Sequence, residues 1–183
     1  GDILIVINQD LYLEPGSLKT VYEFLSSNKA VVGGRLSFAN GSYQASCGPF
    51  PTLAGTLCRL LLPKNIRKNT LFPPRSDEPR AVDWVTGAFI GLHREIFDRI
   101  GGFDEDYFMY YEDVDFCLRA RQAGFLSYFL PSAKAVHVDP HSARKHVPDW
   151  LRREIRFSQT TFFRKHRPSW EQGVISALNR AYF

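Results

Sequence analysis

Apolar residues follow two different periods along this chain, and each period predicts a type of element. Ile3–Ile7 is an unbroken run of isoleucine, leucine and valine, which predicts a strand covered on both faces, as in a parallel sheet. Val82–Leu92 is also apolar and rich in strand-forming residues. Ser127–Leu130 and Ala135–Val138 are predicted as two further short strands, joined by a turn at Pro131.

Apolar residues recur every three or four positions in the predicted helices. Asn40-Gly41 between two short strands is a strong hairpin signal. At 183 residues and 44% hydrophobic, the chain fits one globular domain with a sizeable core. Apart from the acidic helix described next, helices are expected from Ser17, as N-cap, to about Ser27, from about Thr52 to Leu62, over Arg94–Ile100, over Pro148–Arg167 and over Trp170–Phe183.

The densest group of reactive side chains lies in Phe108–Arg121, where carboxylates follow a run of aromatic residues and methionine. Glu112, Asp113 and Asp115 precede apolar residues at helical spacing, so we expect them in the first turn of an amphipathic helix. Asp115 can pair with Arg119 one turn later. Glu112 and Asp113 then remain at the mouth of the helix, either as a functional site or as ordinary capping acids.

Two other segments carry candidate ligands or contact surfaces. Asn8 and Asp10 directly follow the first strand, and ligands of open α/β sheets bind beyond the carboxyl ends of strands. Asp10 is therefore a candidate ligand for a metal ion or a phosphate, and the alternative is a simple turn. Gly87 interrupts the second apolar run with small residues, which permits close approach of a ligand or makes a plain bulge. The neighbouring Trp84 is either a core residue or a flat surface for a ligand.

The spacing of the histidines resembles a metal site at first inspection. His137, His141 and His146 are four and five residues apart. They fall in a region that passes from strand to loop, however, and Pro140 argues against a helix that would place His137 and His141 on one face. A closed zinc site is therefore disfavoured, whereas one histidine acting with Asp10 remains open.

Charge and composition narrow the range of partners. The net charge of +4 is modest; it is compatible with anionic lipid or phosphorylated ligands and establishes neither. Lys64–Arg80 is a basic, proline-containing stretch whose cations either meet phosphate or are simply solvated in a mobile loop. Pro148–Arg167 interleaves aromatic residues with arginines, so it either lies at a membrane interface or packs on the domain with a solvated basic face. Nucleic-acid binding is disfavoured because no recognised motif accompanies the small charge.

The cysteines and the start of the chain indicate the compartment and the extent of the sequence. Cys47, Cys58 and Cys117 form neither a zinc pattern nor a disulfide framework, so a reducing compartment is expected. No apolar run is long enough to span a bilayer, and there is no signal-peptide pattern. The first residues read as a strand already under way, so we expect an upstream part to be missing.

Four segments follow one another in a specific order, and together they resemble a known family. The segments are Ile3–Asp10 with Glu14–Leu18, Asp83–Ile90, Arg94–Arg119 and Ala135–Val138. In this order they resemble family 2 glycosyltransferases, especially the rhamnosyltransferase-like and galactofuranosyltransferase-like branch. The resemblance implies a GT-A fold, a Rossmann-like α/β sandwich. It makes residues 1–147 the metal and acceptor portion of that domain, and residues 148–183 a basic aromatic helical tail.

The resemblance also implies roles for individual residues. Asn8 and Asp10 match the family's D-x-D-type motif with Asn in the first place, which makes Asp10 a metal ligand and Asn8 a weaker contributor. Asp113 matches the catalytic base, and His137 matches a histidine that completes the metal site in some members. On the acceptor side the expected residues are Glu112, Trp84, Gly87 and Ala88. Because the family's upstream half holds the base and ribose, this chain is expected to lack most of the nucleotide pocket.

The expected reaction is inverting transfer of a sugar from a UDP-, GDP- or dTDP-sugar to a saccharide or lipid-linked acceptor in cell-surface polysaccharide synthesis. It needs a base for the acceptor hydroxyl and a cation, Mn²⁺ or Mg²⁺, on the leaving diphosphate. The expected location is cytoplasmic, with peripheral contact at the inner face of the plasma membrane. The alternative is a non-catalytic carbohydrate- or partner-binding fragment.

The sequence leaves open how basic Asp113 is. A helix N-terminus lowers the pKa of a carboxyl group, which weakens it as a base. Burial beside Phe108–Tyr111 would raise that pKa.

Overall fold

Strands and helices alternate along the described part of the chain, which in this computed structural model comprises residues 1–61, 77–138 and 148–181. Most of the predicted basic loop, with Lys64, Arg67, Lys68 and Arg75, lies outside the described residues, as do His141 and His146. The strands are β1 (Ile3–Ile7), β2 (Leu11–Leu13), β3 (Val31–Phe38), β4 (Tyr43–Gln44), β5 (Cys47–Gly48), β6 (Arg80–Val82), β7 (Trp84–Val85), β8 (Phe89–His93) and β9 (Ser127–His137). The helices are α1 (Ser17–Ser27), α2 (Leu53–Leu61), α3 (Arg94–Ile100), α4 (Glu112–Gln122), α5 (Asp149–His166) and α6 (Ser169–Ala181).

The main sheet has the strand order β1-β8-β3-β9-β2, with β4 added to β3 and β6 to β9. β3 and β9 run parallel, whereas β8 is antiparallel to both β1 and β3. β1, β3 and β9 therefore point the same way. Their carboxyl ends at Ile7, Phe38 and His137 lie at the same edge of the sheet as Phe89, where β8 begins. This edge is where the candidate site forms.

The prediction that β1 is covered on both faces, as in a parallel sheet, is wrong for the described residues. β1 pairs antiparallel with β8, and Ile5 and Ile7 are 37% and 45% exposed. Alternate side chains of a strand point to opposite faces. Leu4 and Val6 therefore reach the core that α3 and α4 cover, while Ile5 and Ile7 lie on the other face.

The two strands predicted around Pro131 are one strand with an irregularity. The register of β9 against β3 jumps from the pair Gly34–Leu130 to the pair Arg35–Lys134, so the three intervening residues have no partner on β3. Gly34 lies beside this irregularity, and a Cβ atom there would lie 2.3 Å from the carbonyl oxygen of Ala133. The irregularity therefore requires glycine at position 34.

Helices cover both faces of the sheet. On one face α1 packs Val21 and Leu25 against β3 and β9. On the other face α3 and α4 contribute Ile96, Phe116 and Cys117, and Cys117 is buried as predicted. The predicted N-cap at Ser17 is wrong. Gly16 caps α1 with φ +87°, and the hydroxyl of Ser17 instead donates to the carbonyl of Lys134 on β9 at 2.7 Å.

The C-terminal helices pack on the start of α4. Phe162 and Phe163 of α5 and Ile175 of α6 are buried in one cluster with Tyr107 and Val114. Packing on the domain, one of the two alternatives for this basic aromatic segment, is thus what the structure contains. Aromatic residues of the same helix also face outward. None of the described helices is both long and apolar enough to cross a bilayer.

Candidate active site

The carboxylate of Asp113 is held against the small-residue segment between β7 and β8. Its Oδ2 accepts a hydrogen bond from the backbone N–H of Gly87 at 2.9 Å, and its Oδ1 accepts one from the N–H of Val114 at 2.8 Å. A Cβ atom at Gly87 would lie 3.5 Å from Glu112 Oε1 and 3.6 Å from the Cβ of Asp113. The backbone of this segment therefore lies in van der Waals contact with both acids of the predicted pair.

The chain enters this helix through a strained corner. Tyr110 and Tyr111 have φ values of 65° and 67°, in the left-handed region, and the described residues include no other positive-φ residues apart from glycines. This conformation costs roughly 1–2 kcal/mol at each residue that carries a side chain. Helix α4 begins at Glu112, directly after these two residues, and Phe108 four residues earlier is exposed.

Burial dominates the electrostatics of the acidic pair. Burial, and after it the charge of Asp113, raises the pKa of Glu112 to about 7. Burial also raises the pKa of Asp113, although the N–H groups of Gly87 and Val114 oppose that shift. Of the two influences on the pKa of Asp113 that the sequence left open, burial therefore outweighs the helix N-terminus. Oε2 of Glu112 is buried and has no hydrogen-bond partner among the described residues.

A second polar group forms where β9 ends. His137 is 5% exposed, and its Nε2 lies 3.1 Å from Asp10 Oδ1 and 3.5 Å from Asn8 Nδ2. Its Nδ1 lies 3.1 Å from Oε1 of Gln44 on β4. With Nδ1 donating to Gln44, Nε2 directs a lone pair at the carboxylate of Asp10. In that arrangement the lone pair and the carboxylate are both directed at one point, where a cation would be bound by both.

These residues fit a divalent cation as a partial set of ligands. An imidazole and a carboxylate suit Mn²⁺ or Mg²⁺ when phosphate oxygens and water complete the coordination. Within residues 1–61, 77–138 and 148–181, no group of three or more His, Cys, Asp or Glu side chains could hold a metal ion. Asp10 and His137 would therefore hold a cation only together with a ligand.

One backbone hydrogen bond connects the two polar groups. The N–H of Asn8 donates to the carbonyl oxygen of Ala88 at 3.1 Å, and the adjacent Gly87 donates to Asp113. The acid pair, the small-residue segment and the Asp10–His137 pair therefore lie along one edge of the sheet. Segments that are far apart in the sequence meet at this edge.

The side chain of Trp84 is more enclosed than expected for a residue that offers a flat surface to a ligand. Its indole N–H donates to the carbonyl of Pro49 at 2.9 Å, and its ring would lie 3.0 Å from a Cβ atom at Gly48. The side chain is half-buried between two core clusters. Its contact with an acceptor stays a prediction.

The predicted pairing of Asp115 is confirmed, but its further partner was missed. Asp115 is fully buried, and its Oδ2 accepts from Arg119 Nε at 2.7 Å. His166 on α5 lies 2.6 Å from the other oxygen of Asp115. Gln44 and Ser158 were also missed. No local pattern marks these residues, because their contacts are set by tertiary packing rather than by spacing along the chain.

A mixed sheet with helices on both faces fits the GT-A fold. The chain belongs to glycosyl transferase family group 2, whose family model matches residues 3–180. A solved structure of GalNAc-T7 with UDP, GalNAc and Mn²⁺ has the same fold. It matches with a TM-score of 0.56 at 13% identity, over 87% of this chain and 32% of that one. The predicted fold class is confirmed.

Similar curated proteins are sugar transferases. The N-acetylglucosaminyl-diphospho-decaprenol L-rhamnosyltransferase of Mycobacterium tuberculosis is 35% identical over 148 residues, 77% of this chain and 48% of that protein. Rhamnosyltransferase WbbL of Escherichia coli K12 is 30% identical over 146 residues, 78% of this chain and 54% of that protein. The low-salt glycan biosynthesis hexosyltransferase Agl10 of Haloferax volcanii is 28% identical over 140 residues, 75% of this chain and 42% of that protein. The chain spans about half the length of these relatives.

The burial of Glu112 predicts a pH-dependent cost to stability. Because its folded pKa is raised, the unfolded chain releases the proton first, and stability is lost as pH rises from about 4.5 to about 7. Glu112→Gln removes this cost. We measure the free energy of unfolding of the variant and of wild type by urea denaturation. The value for the variant minus the value for wild type should increase by about 2 kcal/mol from pH 4 to pH 8.

Glu95→Gln is the matched control for this measurement. Lys29 lowers the pKa of the exposed Glu95, so that carboxylate adds stability at high pH. The control should therefore lose stability relative to wild type between pH 4 and pH 8. If Glu112→Gln also loses stability relative to wild type between pH 4 and pH 8, burial does not raise the pKa of Glu112.

Proposed function

We propose that this chain forms the metal and acceptor part of an inverting glycosyltransferase, which moves a sugar from a nucleotide-diphosphate donor to a saccharide or lipid-linked acceptor. The observation that supports this most is the partly buried carboxylate of Asp113, bonded to Gly87 and linked through Ala88 and Asn8 to the Asp10–His137 pair. Base and diphosphate site then lie on the same sheet edge. Membership in glycosyl transferase family group 2 supports the same reaction class.

Asp113 acts in this proposal as the general base. Inverting transfer needs one group that takes the proton from the acceptor hydroxyl while that oxygen attacks the anomeric carbon. Both oxygens of Asp113 accept hydrogen bonds from backbone N–H groups, which fix the orientation of the carboxylate. Burial raises the pKa of this carboxyl group, which strengthens it as a base at neutral pH.

Glu112 takes a different role from its neighbour. With a pKa of about 7 it is protonated in part of the molecules at neutral pH, and its buried Oε2 has no hydrogen-bond partner among the described residues. In its neutral form it can donate a hydrogen bond to an acceptor hydroxyl or ring oxygen. Two adjacent carboxyl groups with different environments can thus divide binding and proton transfer between them.

Asp10 and His137 would hold the cation, with Asn8 beside them and Gln44 orienting the imidazole. When bound, Mn²⁺ or Mg²⁺ neutralises the charge that develops on the leaving diphosphate. The solved structure of GalNAc-T7, which has the same fold, contains UDP and Mn²⁺. We therefore assign the donor class as a UDP-, GDP- or dTDP-sugar, bound by this part together with the remainder of the protein.

The names of the curated relatives indicate the kind of acceptor. One similar enzyme transfers L-rhamnose and is named for a saccharide on a diphospho-polyprenol, and two others are a rhamnosyltransferase and a glycan hexosyltransferase. We propose a hexosyl or deoxyhexosyl transfer of this kind, in the synthesis of a cell-surface polysaccharide.

Loss of the base should abolish turnover and leave binding intact. In the full-length gene product, Asp113→Asn should lower kcat by about 10²–10⁴-fold, because the amide cannot accept the acceptor proton. Donor KM should change little. The measurement is release of the nucleoside diphosphate at saturating donor and acceptor.

Asp98→Asn is the control for this substitution. Asp98 is an exposed residue of α3, which follows the end of β8 opposite the candidate site. Turnover of Asp98→Asn should equal wild type. Near wild-type turnover by Asp113→Asn as well would show that the base lies elsewhere.

The proposed cation site predicts a change in metal affinity. His137→Ala should raise the Mn²⁺ concentration for half-maximal binding in the presence of nucleoside diphosphate by roughly tenfold or more. Electron paramagnetic resonance of free Mn²⁺ measures this without turnover. His93→Gln is the control, since His93 contacts the carbonyl of Leu25 at the opposite end of β8. Equal Mn²⁺ affinities in the two variants would contradict the assignment.

We also propose that one face of α5 contacts anionic lipid. Trp150 and Phe157 are 51% and 60% exposed, and together with Arg153 they follow helical spacing along one face. The protein should sediment with phosphatidylglycerol vesicles and not with phosphatidylcholine vesicles. Trp150→Ser with Phe157→Ser should reduce that binding several-fold. Unchanged sedimentation of the double variant would exclude this face.

A further inference from the structure

Helix α5 contacts the strained corner that leads into the acidic pair. Ser158 is fully buried, and its Oγ donates a hydrogen bond to the carbonyl oxygen of Met109 at 2.9 Å. The ring of Phe162, one turn later on the same face, lies 5.7 Å from the ring of Tyr111. Both contacts fall on the residues directly before Glu112.

The same helix contacts the other side of the acidic pair. His166 Nε2 lies 2.6 Å from Oδ1 of Asp115, whose second oxygen is bonded to Arg119. Arg119 in turn donates to the carbonyl of Ile100 at 2.8 Å. Asp115 is fully buried, so the position of this side chain depends on these partners.

These contacts enclose Glu112 and Asp113 between two fixed points. Met109 precedes the pair and Asp115 follows it, and the left-handed Tyr110 and Tyr111 lie between the first fixed point and the acids. Such a backbone conformation persists only where the surrounding structure over-determines it. The helix that supplies the outer contacts is therefore part of what aims the carboxylates.

We propose that Ser158 and His166 are positioning residues for the acidic pair. They reach no reacting atom; they hold the backbone on each side of Glu112 and Asp113 so that Asp113 stays within hydrogen-bond distance of Gly87. This inference rests on the proposed function of Asp113 as base. It makes the C-terminal helix a component of the catalytic unit rather than an appended tail.

Ser158→Ala tests the first fixed point with a minimal change of volume. A displacement on the order of 1 Å lowers rates by up to about 10²-fold, so we expect kcat to fall about tenfold while donor KM changes less than twofold. Thr160→Ala is the matched control. The hydroxyl of Thr160, on the same helix, is bonded to Arg156 and Asn179 rather than to the corner. Equal kcat in the two variants overturns the proposal for Ser158.

His166 is tested by rescue. Gln places an N–H donor near the position of Nε2, whereas Leu fills the space without a donor. We expect His166→Leu to lower kcat about tenfold and His166→Gln to recover most of it, at unchanged donor KM. If both variants lose kcat equally, or neither does, His166 does not position the pair through its bond to Asp115.

Hydrogen exchange separates this inference from the proposed function. In Ser158→Ala the amides of residues 110–115 should exchange at least about tenfold faster than in Thr160→Ala, because the Tyr110–Tyr111 corner opens. That measurement needs no turnover. Unchanged exchange overturns the positioning role even if the enzyme is active. Faster exchange in Ser158→Ala, in a protein that transfers no sugar from any tested donor, would support the positioning role of Ser158. It would refute the proposed reaction.

Discussion

The hydrogen bond from Gly87 to Asp113 is the interaction on which the rest of this site depends. It brings the backbone of Gly87 to the first turn of a helix that begins at Glu112. That helix start in turn requires two residues in the left-handed conformation. Because Ala88, the next residue, is bonded to Asn8, the same segment sets the base beside the candidate cation ligands.

Several features of the candidate site lower the free energy of unfolding, and they are found at the residues for which the chemistry is proposed. Two adjacent carboxyl groups are partly removed from water, and burial raises the pKa of both. Two tyrosines adopt a backbone conformation that residues with side chains avoid. Each of these features lowers stability on its own. Packing of α5 and α6 against the start of α4 offsets them, which links the C-terminal helices to the active site.

Local signals in the sequence predicted the local parts of this arrangement. The spacing of Asp115 and Arg119 predicted their ion pair, and the residues after the first strand predicted the polar cluster at Asp10. Local signals did not predict the contacts between residues that are far apart in the sequence. Gln44 orients His137 across two strands, and Ser158 reaches Met109 from 49 residues away. The exposure of β1 and the irregularity in β9 also depend on partner strands, which periodicity within one segment does not encode.

The stereochemistry of transfer tests the central claim most directly. A single base that activates the acceptor hydroxyl permits one displacement at the anomeric carbon, and one displacement inverts its configuration. Proton NMR of the product, formed by the full-length enzyme from a donor of known anomeric configuration, measures this outcome. The account predicts the opposite anomer in the product. Retention of the donor's configuration would require a second displacement and would contradict the role assigned to Asp113.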